Sequence, residues 1–181
     1  MILPQAVFID RDGTIGGNDT VIFPGEFQMY PYVKESLIEL KESGNLILSF
    51  TNQPAISKGE VTKEEYEAEL KQFGFDKVYL CPHQHHERCQ CRKPSTGMLL
   101  QASQDNNLDL EECVVIGDRW TDMVAAQDAG CIKILVKTGA GEETFYQYQN
   151  QAFFGKWAEV SPDFIASDFR EAVHWILSKQ S

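Results

Sequence analysis

The chain has 181 residues, with 27 acidic side chains against 16 lysines and arginines and a formal net charge of −11. A protein that binds the phosphate backbone of DNA or RNA needs a cationic face, so this charge balance argues against a nucleic-acid-binding function. The length is typical of one domain, and 43% hydrophobic with 24% charged residues is the composition of a folded protein. We therefore expect a single domain over residues 1–181.

The first ten residues do not have the pattern of a secretory signal. They lack a basic stretch, and Asp10 interrupts the apolar run before it reaches the length of a signal core. No later segment approaches the roughly 18 consecutive apolar residues of a membrane helix. We expect a cytoplasmic protein, and a monomer, with no membrane partner.

Short apolar runs alternate with segments of helical periodicity along the chain. Continuous apolar runs of this length are typical of parallel strands buried on both faces. They cover Ala6 to Ile9, Leu46 to Phe50, Phe75 to Leu80, Val114 to Ile116 and Ile132 to Val136, with a last short run at Phe164 to Ala166.

The segments between these runs have recognisable helix ends. Thr62 and Glu65 form a capping-box pattern, and we expect Ser167 to cap the last helix. The strand and helix order, with right-handed crossovers, predicts a doubly wound α/β fold in which a parallel sheet lies between two helical layers. Residues 139–160 are expected to form a surface excursion. The helices are expected from about Pro31 to Gly44, Thr62 to Gly74, Thr96 to Asn106, Thr121 to Ala129 and Ser167 to Leu177.

Polar residues follow the apolar runs where the strands are expected to end. Ligands of doubly wound sheets bind outside the carboxyl ends of the strands, so these residues are expected to meet in one site. The segments are Asp10-Arg11-Asp12-Gly13-Thr14, Thr51-Asn52-Gln53, Arg92-Lys93-Pro94 and Gly117 to Asp122.

Four carboxylates in this set predict a metal site. A pair of like charges about 4 Å apart costs on the order of 4 kcal/mol at an effective dielectric near 20, so the group needs cations. Hard oxygen ligands favour Mg²⁺, and Lys93 would add a second positive charge. The four are Asp10, Asp12, Asp118 and Asp122.

The spacing of Asp10 and Asp12 also has a chemical interpretation. Alternation along an extended chain can place both carboxylates on one side, one to attack phosphorus and one to protonate the leaving oxygen. Gly13 would then let the chain turn sharply away.

In this order, and each at a strand end, these motifs resemble those of the haloacid dehalogenase superfamily of aspartate-nucleophile phosphatases. The resemblance covers Asp10 to Thr14, Thr51, Lys93, and Gly117-Asp118 with Asp122. It implies an α/β/α sandwich with little or no cap and a Mg²⁺-dependent phosphomonoesterase. Asp10 would form an aspartyl phosphate, while Asp12 would protonate the leaving group and later activate water.

The resemblance also implies roles for the remaining motif residues. Thr51 and the backbone around Asn52 would bind phosphoryl oxygens, and Lys93 would stabilise their charge. Mg²⁺ would be bound by Asp10, by the backbone carbonyl of Asp12 and by Asp118. Asp122 would orient these ligands, although a helix-capping role is the alternative for this residue.

Residues 81–91 form an expected zinc loop. The pattern C-x-H-x5-C-x-C offers three thiolates and one imidazole, the ligand set of a closed structural Zn²⁺ site, from Cys81, His83, Cys89 and Cys91. His85 and His86 compete with His83 for the fourth position, and the family pattern favours His83. The loop has almost no apolar residue to bury, so zinc would order it and fix Arg92 and Lys93.

This loop is similar to that of the subgroup containing histidinol-phosphate and heptose-bisphosphate phosphatases. The resemblance implies that Arg92 recognises the substrate. Gly97-Met98 favours a heptose bisphosphate, while the five-residue gap from His83 to Cys89 also fits histidinol phosphate. Pro54-Ala55 departs from the loop that this subgroup places near the sugar.

Two other functions remain open at this point. A phosphoacceptor or zinc-dependent interaction module would share the fold, but it would leave Asp12 and the loop at Arg92 without a role. A polynucleotide phosphatase would need a basic groove, and the nearby cations suffice for one or two phosphate groups. These cations are Arg11, Arg92, Lys93 and Arg119.

Overall fold

The computed structural model describes residues 4–18 and 20–179, in which a parallel sheet is flanked by helices. The sheet has the strand order β2-β1-β5-β6-β7, and the short strands β3 and β4 pair with each other in a separate two-stranded sheet. The predicted α/β class and parallel sheet are confirmed. The strands are β1 (Ala6–Ile9), β2 (Leu46–Ser49), β3 (Thr51–Asn52), β4 (Leu80–Cys81), β5 (Cys113–Gly117), β6 (Ile132–Val136) and β7 (Phe164–Ala166).

Six α-helices are present among the described residues, with short 3-10 turns at 85–87, 110–112 and 155–159. None of the helices in this part of the chain has the length and apolarity needed to cross a membrane. The helices are α1 (Val33–Glu42), α2 (Lys63–Phe73), α3 (Gly97–Asn106), α4 (Trp120–Ala129), α5 (Gly141–Gln149) and α6 (Phe169–Ser178).

The sheet separates two apolar cores because side chains alternate along each strand. Val7 and Ile9 of β1 pack in a core shared with α1 and α6, whereas Ala6 and Phe8 pack with α3 and α4. All four side chains are fully buried. This alternation produces the three-layer sandwich expected from the sequence.

The strand order reverses direction between β1 and β5. From β1 the chain proceeds to β2 on one side, while β5, β6 and β7 extend the sheet on the other. The two strands are in register at their carboxyl ends, with Ile9 opposite Ile116 and the Asp10 N–H donating to the Ile116 carbonyl at 3.1 Å. Such a reversal opens a crevice beyond the strand ends, where doubly wound proteins bind ligands.

Two predicted element boundaries were wrong. Most of the predicted strand from Phe75 to Leu80 is irregular: Lys77 makes an isolated bridge to Leu48, and β4 begins only at Leu80. The cap of α6 is Asp168, whose side chain accepts the Glu171 N–H, and not Ser167. The Ser167 hydroxyl instead bonds the Glu171 carboxylate.

The prediction of a surface excursion at residues 139–160 missed the regular structure of this segment, although most of its residues are exposed or half-buried. This segment forms α5 and a 3-10 turn, and its aromatic side chains pack against α4 and β6. The N-terminus of α5 has no side-chain cap at Ala140, so the usual sequence signal of a helix start is missing. The segment is ordered because its aromatic side chains are buried against Trp120 and Leu135. These two residues lie elsewhere in the chain, so no local pattern predicts the packing.

Replacement of the α2 cap gives a test of local stability. Thr62 accepts the Glu65 N–H, and the Glu65 side chain accepts the Thr62 N–H, as the capping-box pattern predicts. We expect Thr62→Ala to lower the free energy of unfolding by about 1 kcal/mol, measured by urea denaturation. Thr62→Ser keeps the hydroxyl that accepts the Glu65 N–H, so its loss of unfolding free energy should be less than half that of Thr62→Ala. Equal losses in the two variants would contradict the capping role.

Candidate active site

Three buried aspartates converge at the reversal between β1 and β5. Carboxylate oxygens of Asp10, Asp118 and Asp122 all lie within 4.8 Å of one another. Asp10 directly follows β1, Asp118 follows β5, and Asp122 lies in the first turn of α4. The predicted convergence of these three residues is therefore present in the structure.

Lys93 lies inside this cluster and carries a compensating charge. Its Nζ contacts Asp10 Oδ1 at 3.1 Å and Asp122 Oδ1 at 2.6 Å, and it donates to the Phe50 carbonyl at 2.8 Å. Burial by itself lowers the pKa of Lys93, but the two carboxylates outweigh this effect and the pKa is raised. The ammonium therefore stays protonated within the cluster.

Asp122 has the helix-capping role considered from the sequence, and it also contacts Lys93. Its Oδ2 accepts the Arg119 N–H at 3.0 Å as part of the α4 capping box, while Oδ1 holds Lys93. Burial raises the pKa of Asp122 to about 6, against the lowering effect of Lys93. Helix capping thus fixes the carboxylate that orients the buried lysine.

Asp118 is held by groups from two distant parts of the chain. Thr14 Oγ1 lies 3.2 Å from Oδ1, and the Ala140 N–H donates to Oδ2 at 2.9 Å. Gly13, with φ +81°, and Gly139 approach so closely that a Cβ on either would collide with this carboxylate. The predicted sharp turn at Gly13 is confirmed, and it makes room for Asp118.

The electrostatics of the cluster suit a divalent cation. Burial, followed by repulsion from Asp10 and Asp122, raises the pKa of Asp118 well above its ordinary value. Lys93 offsets one of the three negative charges, and the ligand atoms are hard carboxylate oxygens of the kind that Mg²⁺ prefers. The residues therefore fit the metal that the motif implies.

Asp12 lies beside the cluster and is oriented by two neighbours. Arg11 Nη1 donates to its Oδ1 at 2.7 Å, and Gln53 Nε2 donates to its Oδ2 at 2.6 Å. Burial raises the pKa of Asp12 to about 6, and Asp10 adds to this, although Arg11 opposes it. A carboxyl group with a raised pKa at the edge of a cavity suits proton transfer.

Arg11 does not have the role considered from the sequence. Its side chain is fully buried and forms ion pairs with Glu69 and Asp12, so it is not presented to an external phosphate group. No pattern near Arg11 in the sequence indicates that it pairs with Glu69, which lies 58 residues further along the chain. The expected set of nearby cations is thereby reduced to Arg92, Lys93 and Arg119.

The residues expected to bind phosphate and substrate also line this region. Thr51 is buried and its Oγ1 accepts the Gln53 amide at 3.0 Å. The Asn52 side chain accepts the Lys93 N–H at 3.0 Å and so holds the backbone of the buried lysine. Arg92 is half-buried, with Nη1 3.3 Å from the His83 carbonyl, and faces the same cavity.

These residues surround a cavity of about 770 Å³. Asp10, Asp12 and Lys93 line it, and Arg92 and Arg119 supply further cationic groups. This volume is within the range of about 300 to 1,000 Å³ that small-molecule sites occupy. The cavity therefore offers carboxylates and cations to one small anionic ligand.

One wall of the cavity is aromatic, and sequence reasoning missed it. Phe153 and Trp157 line the cavity, and Phe153 stacks on Trp120 with ring centroids 4.3 Å apart and an angle of 6°. Trp120 Nε1 donates to the Trp157 carbonyl at 3.1 Å. Thr144 of α5 bonds the Asp118 carbonyl at 3.0 Å, which ties this wall to the acidic cluster.

The second predicted cluster is also assembled. His83 Nδ1 lies 3.5 Å from Cys81 Sγ and 3.2 Å from Cys91 Sγ, and Cys89 Sγ lies 3.5 Å from Cys81 Sγ. Two sulfurs that each lie about 2.3 Å from a tetrahedral zinc ion are about 3.8 Å apart, so the arrangement approaches the dimensions of such a site. His83 therefore occupies the fourth position, whereas His85 lines the catalytic cavity.

The environment of Cys89 favours a thiolate. Burial raises the pKa of this thiol, but hydrogen bonds from the Arg92 N–H and from Cys81 and Cys91 together outweigh it and lower the pKa to about 7. All five cysteines are free. Cys113 and Cys131 lie elsewhere and are buried.

Comparison with models of known protein families identifies the family of this chain. The model for haloacid dehalogenase-like hydrolases matches residues 17–130, and a second, HAD-hydrolase-like model matches residues 90–172. The first match covers more than half of the chain. The chain therefore belongs to the haloacid dehalogenase-like hydrolases, and the predicted superfamily is confirmed.

Relatives of the chain narrow the class further. A D-glycero-D-manno-heptose-1,7-bisphosphate 7-phosphatase from Thermosynechococcus vestitus is 33% identical over 94% of each chain. A D-glycero-beta-D-manno-heptose-1,7-bisphosphate 7-phosphatase from Vibrio cholerae is 37% identical over 74% of this chain and 82% of its own length. The predicted class of enzyme, a phosphatase hydrolase, is confirmed.

A solved structure matches the fold along nearly the whole chain. It is that of D,D-heptose 1,7-bisphosphate phosphatase from B. bronchiseptica complexed with magnesium and phosphate, with a TM-score of 0.81 and 26% identity. The match covers 97% of this chain and 99% of the other. The doubly wound fold of this chain is thus similar to that of this phosphatase.

The repulsion within the acidic cluster predicts an unusual stability effect. In metal-free protein, Asp118→Asn removes one buried charge and should raise the free energy of unfolding by about 0.5 to 2 kcal/mol. The folded-state pKa of Asp118 lies above its unfolded value, so the wild type loses stability as the pH rises through the folded-state pKa. The gain in the variant should therefore grow with pH.

Chemical denaturation in the presence of a chelator, at several pH values, measures this effect. The exposed Asp128, which pairs with Lys156 at the surface, provides a matched control through Asp128→Asn. A loss of stability in Asp118→Asn at every pH would contradict the inferred repulsion.

Proposed function

We propose that this chain is a Mg²⁺-dependent phosphomonoesterase that removes the 7-phosphate of D-glycero-D-manno-heptose 1,7-bisphosphate. The observation that carries the proposal is the convergence of Asp10, Asp12 and Lys93 in one cavity of a chain whose relatives bear that enzyme's name. Arg92 and Arg119 line the same cavity and provide charge for the second phosphate group of a bisphosphate. The acidic remainder of the protein is consistent with a small-molecule substrate, with no nucleic-acid partner.

The reaction proceeds through two displacements at phosphorus. A carboxylate oxygen of Asp10 attacks phosphorus, the bond from phosphorus to the sugar oxygen breaks, and Asp12 donates its proton to that leaving oxygen. The Asp12 carboxylate then takes a proton from water as the water attacks the aspartyl phosphate. Asp10 and inorganic phosphate are released, and Asp12 is again protonated.

Thr51 and Lys93 bind the transferred phosphoryl group in this scheme. The Lys93 ammonium lies 3.1 Å from Asp10, so it is close to any phosphorus that Asp10 attacks. Its charge stabilises the negative charge that develops on the phosphoryl oxygens. Asn52 contributes its backbone, while its side chain keeps Lys93 in place.

Mg²⁺ would be held by Asp10, Asp118 and the backbone carbonyl of Asp12, with Asp122 supporting Lys93 beside it. When bound, the ion offsets the charge of the carboxylates and of the incoming phosphate group. This assignment is supported by the raised pKa of Asp118, which reflects burial of its carboxyl group and, after that, repulsion from Asp10 and Asp122.

Zn²⁺ is proposed as a structural ion held by Cys81, His83, Cys89 and Cys91. The set has four protein ligands and no open position, as in closed structural sites. Arg92 and Lys93 follow the last cysteine directly, so an ion in this loop would fix their approach to the cavity. The expected single domain, monomeric state and cytoplasmic location stay predictions.

Loss of the nucleophile tests the proposed chemistry. We expect Asp10→Asn to lower phosphate release by at least about a thousand-fold, because an amide does not form the aspartyl phosphate. The variant should stay folded, as judged by circular dichroism, and Asp128→Asn should retain wild-type turnover. Undiminished phosphate release by Asp10→Asn would contradict the assignment.

A substrate comparison separates the remaining candidates. With Mg²⁺ present, kcat/KM should be highest for heptose 1,7-bisphosphate, and both of its anomers should be tried. A higher value for histidinol phosphate would reassign the substrate. No release from either compound or from an aryl phosphate would support a non-catalytic module instead.

Metal analysis tests the zinc assignment independently of activity. Wild-type protein should keep about one equivalent of zinc through dialysis, and Cys89→Ser should reduce the zinc content and the thermal stability together. Cys113→Ala is the matched control, since Cys113 is buried outside the cluster. Absence of zinc from the dialysed wild type would contradict a structural zinc site.

A further inference from the structure

Arg11 connects the edge of the active site to helix α2. Its Nε donates to Glu69 Oε2 at 2.7 Å and its Nη2 to Glu69 Oε1 at 3.1 Å, while Nη1 donates to Asp12 Oδ1 at 2.7 Å. Two aromatic rings also pack on the guanidinium, with the Phe27 centroid 3.9 Å and the Tyr66 centroid 4.9 Å from its central carbon. The Arg11 guanidinium is therefore fixed in both position and orientation.

Glu69 is the residue that sets this position. It lies one turn before the end of α2, is itself buried, and forms a bidentate pair with Arg11. A bidentate pair between a guanidinium and a carboxylate restricts orientation as well as distance. Because the Glu69 charge balances that of Arg11, the arginine can contact Asp12 inside the protein without adding an unpaired buried charge.

The opposite oxygen of Asp12 is held in a similar way. Gln53 Nε2 donates to Asp12 Oδ2 at 2.6 Å and also to Thr51 Oγ1 at 3.0 Å. Each carboxyl oxygen of Asp12 thus has one donor that belongs to a packed network. Such a network can determine where a catalytic carboxyl group points.

We propose that Glu69 is a positioning residue that acts through Arg11 to orient the Asp12 carboxyl group for proton donation to the leaving oxygen. This inference rests on the proposed phosphomonoesterase function. During phosphoryl transfer, the bond from Asp10 to phosphorus forms and the bond from phosphorus to the leaving oxygen breaks. The proton moves from Asp12 to that oxygen, so a misdirected Asp12 slows departure of a poor leaving group.

The dependence of the reaction on the leaving group distinguishes positioning from a purely structural role. An alkoxide needs its proton as it leaves, whereas 4-nitrophenolate departs without one. The ratio kcat/KM reports only steps up to the first irreversible one, phosphoryl transfer to Asp10, so later hydrolysis does not affect it. Sugar phosphate and 4-nitrophenyl phosphate should therefore respond differently to loss of Glu69.

The experiment compares Glu69→Gln with Glu64→Gln, an exposed position on the same helix. We expect Glu69→Gln to lower kcat/KM by about ten-fold or more for the sugar phosphate, since general acid catalysis contributes about 10² to 10⁴. For 4-nitrophenyl phosphate the loss should be less than about two-fold. Glu64→Gln should match the wild type with both substrates.

Equal losses with the two substrates would overturn the inference, as would no loss with either. If Glu69→Gln does not fold, the double variant Arg11→Met with Glu69→Met removes both buried charges together and leaves neither unpaired. It should show the same selective loss on the sugar phosphate. A wild type that releases no phosphate from either ester would instead overturn the proposed function itself.

Discussion

Repulsion among three buried carboxylates governs the arrangement of this active site. Asp10, Asp118 and Asp122 share a volume a few ångströms across, where charges of the same sign interact strongly and water is scarce. Lys93 stays protonated because it lies between two of them. The buried carboxylates need cations nearby to offset their repulsion. A site with this charge favours a metal ion, and the added positive charge then favours a phosphate group.

Different parts of the fold position Lys93, Asp122 and Asp12. Lys93 is held through its backbone by Asn52 and follows the cysteine-rich loop, whereas Asp122 is fixed as a cap of α4. Asp12 depends on α2 through Arg11 and Glu69. Asp122 and Asp12 are therefore supported by different helices, α4 and α2.

Much of this arrangement was predictable because parallel strands bring their carboxyl ends to one edge. The apolar runs ending at Ile9 and Ile116 locate Asp10 and Asp118, and the spacing within residues 81–91 locates the four metal-ligand candidates. Arg11 was misjudged because its partner is 58 residues away and no local pattern indicates that a charged side chain is buried. The aromatic wall was missed for a similar reason, since its order depends on packing against Trp120.

The contacts of Asp118 span most of the chain. Thr138 bonds the Gly13 carbonyl across 125 positions, and the Ala140 N–H bonds Asp118 itself. A ribosome delivers Gly13 long before Thr138, so a nascent chain contains Asp10 before the groups that enclose the acidic cluster have been made. The hydrogen bond that holds Asp118 Oδ2 can form only when the segment around residue 140 has emerged, so the geometry of the acidic cluster depends on a late part of the chain.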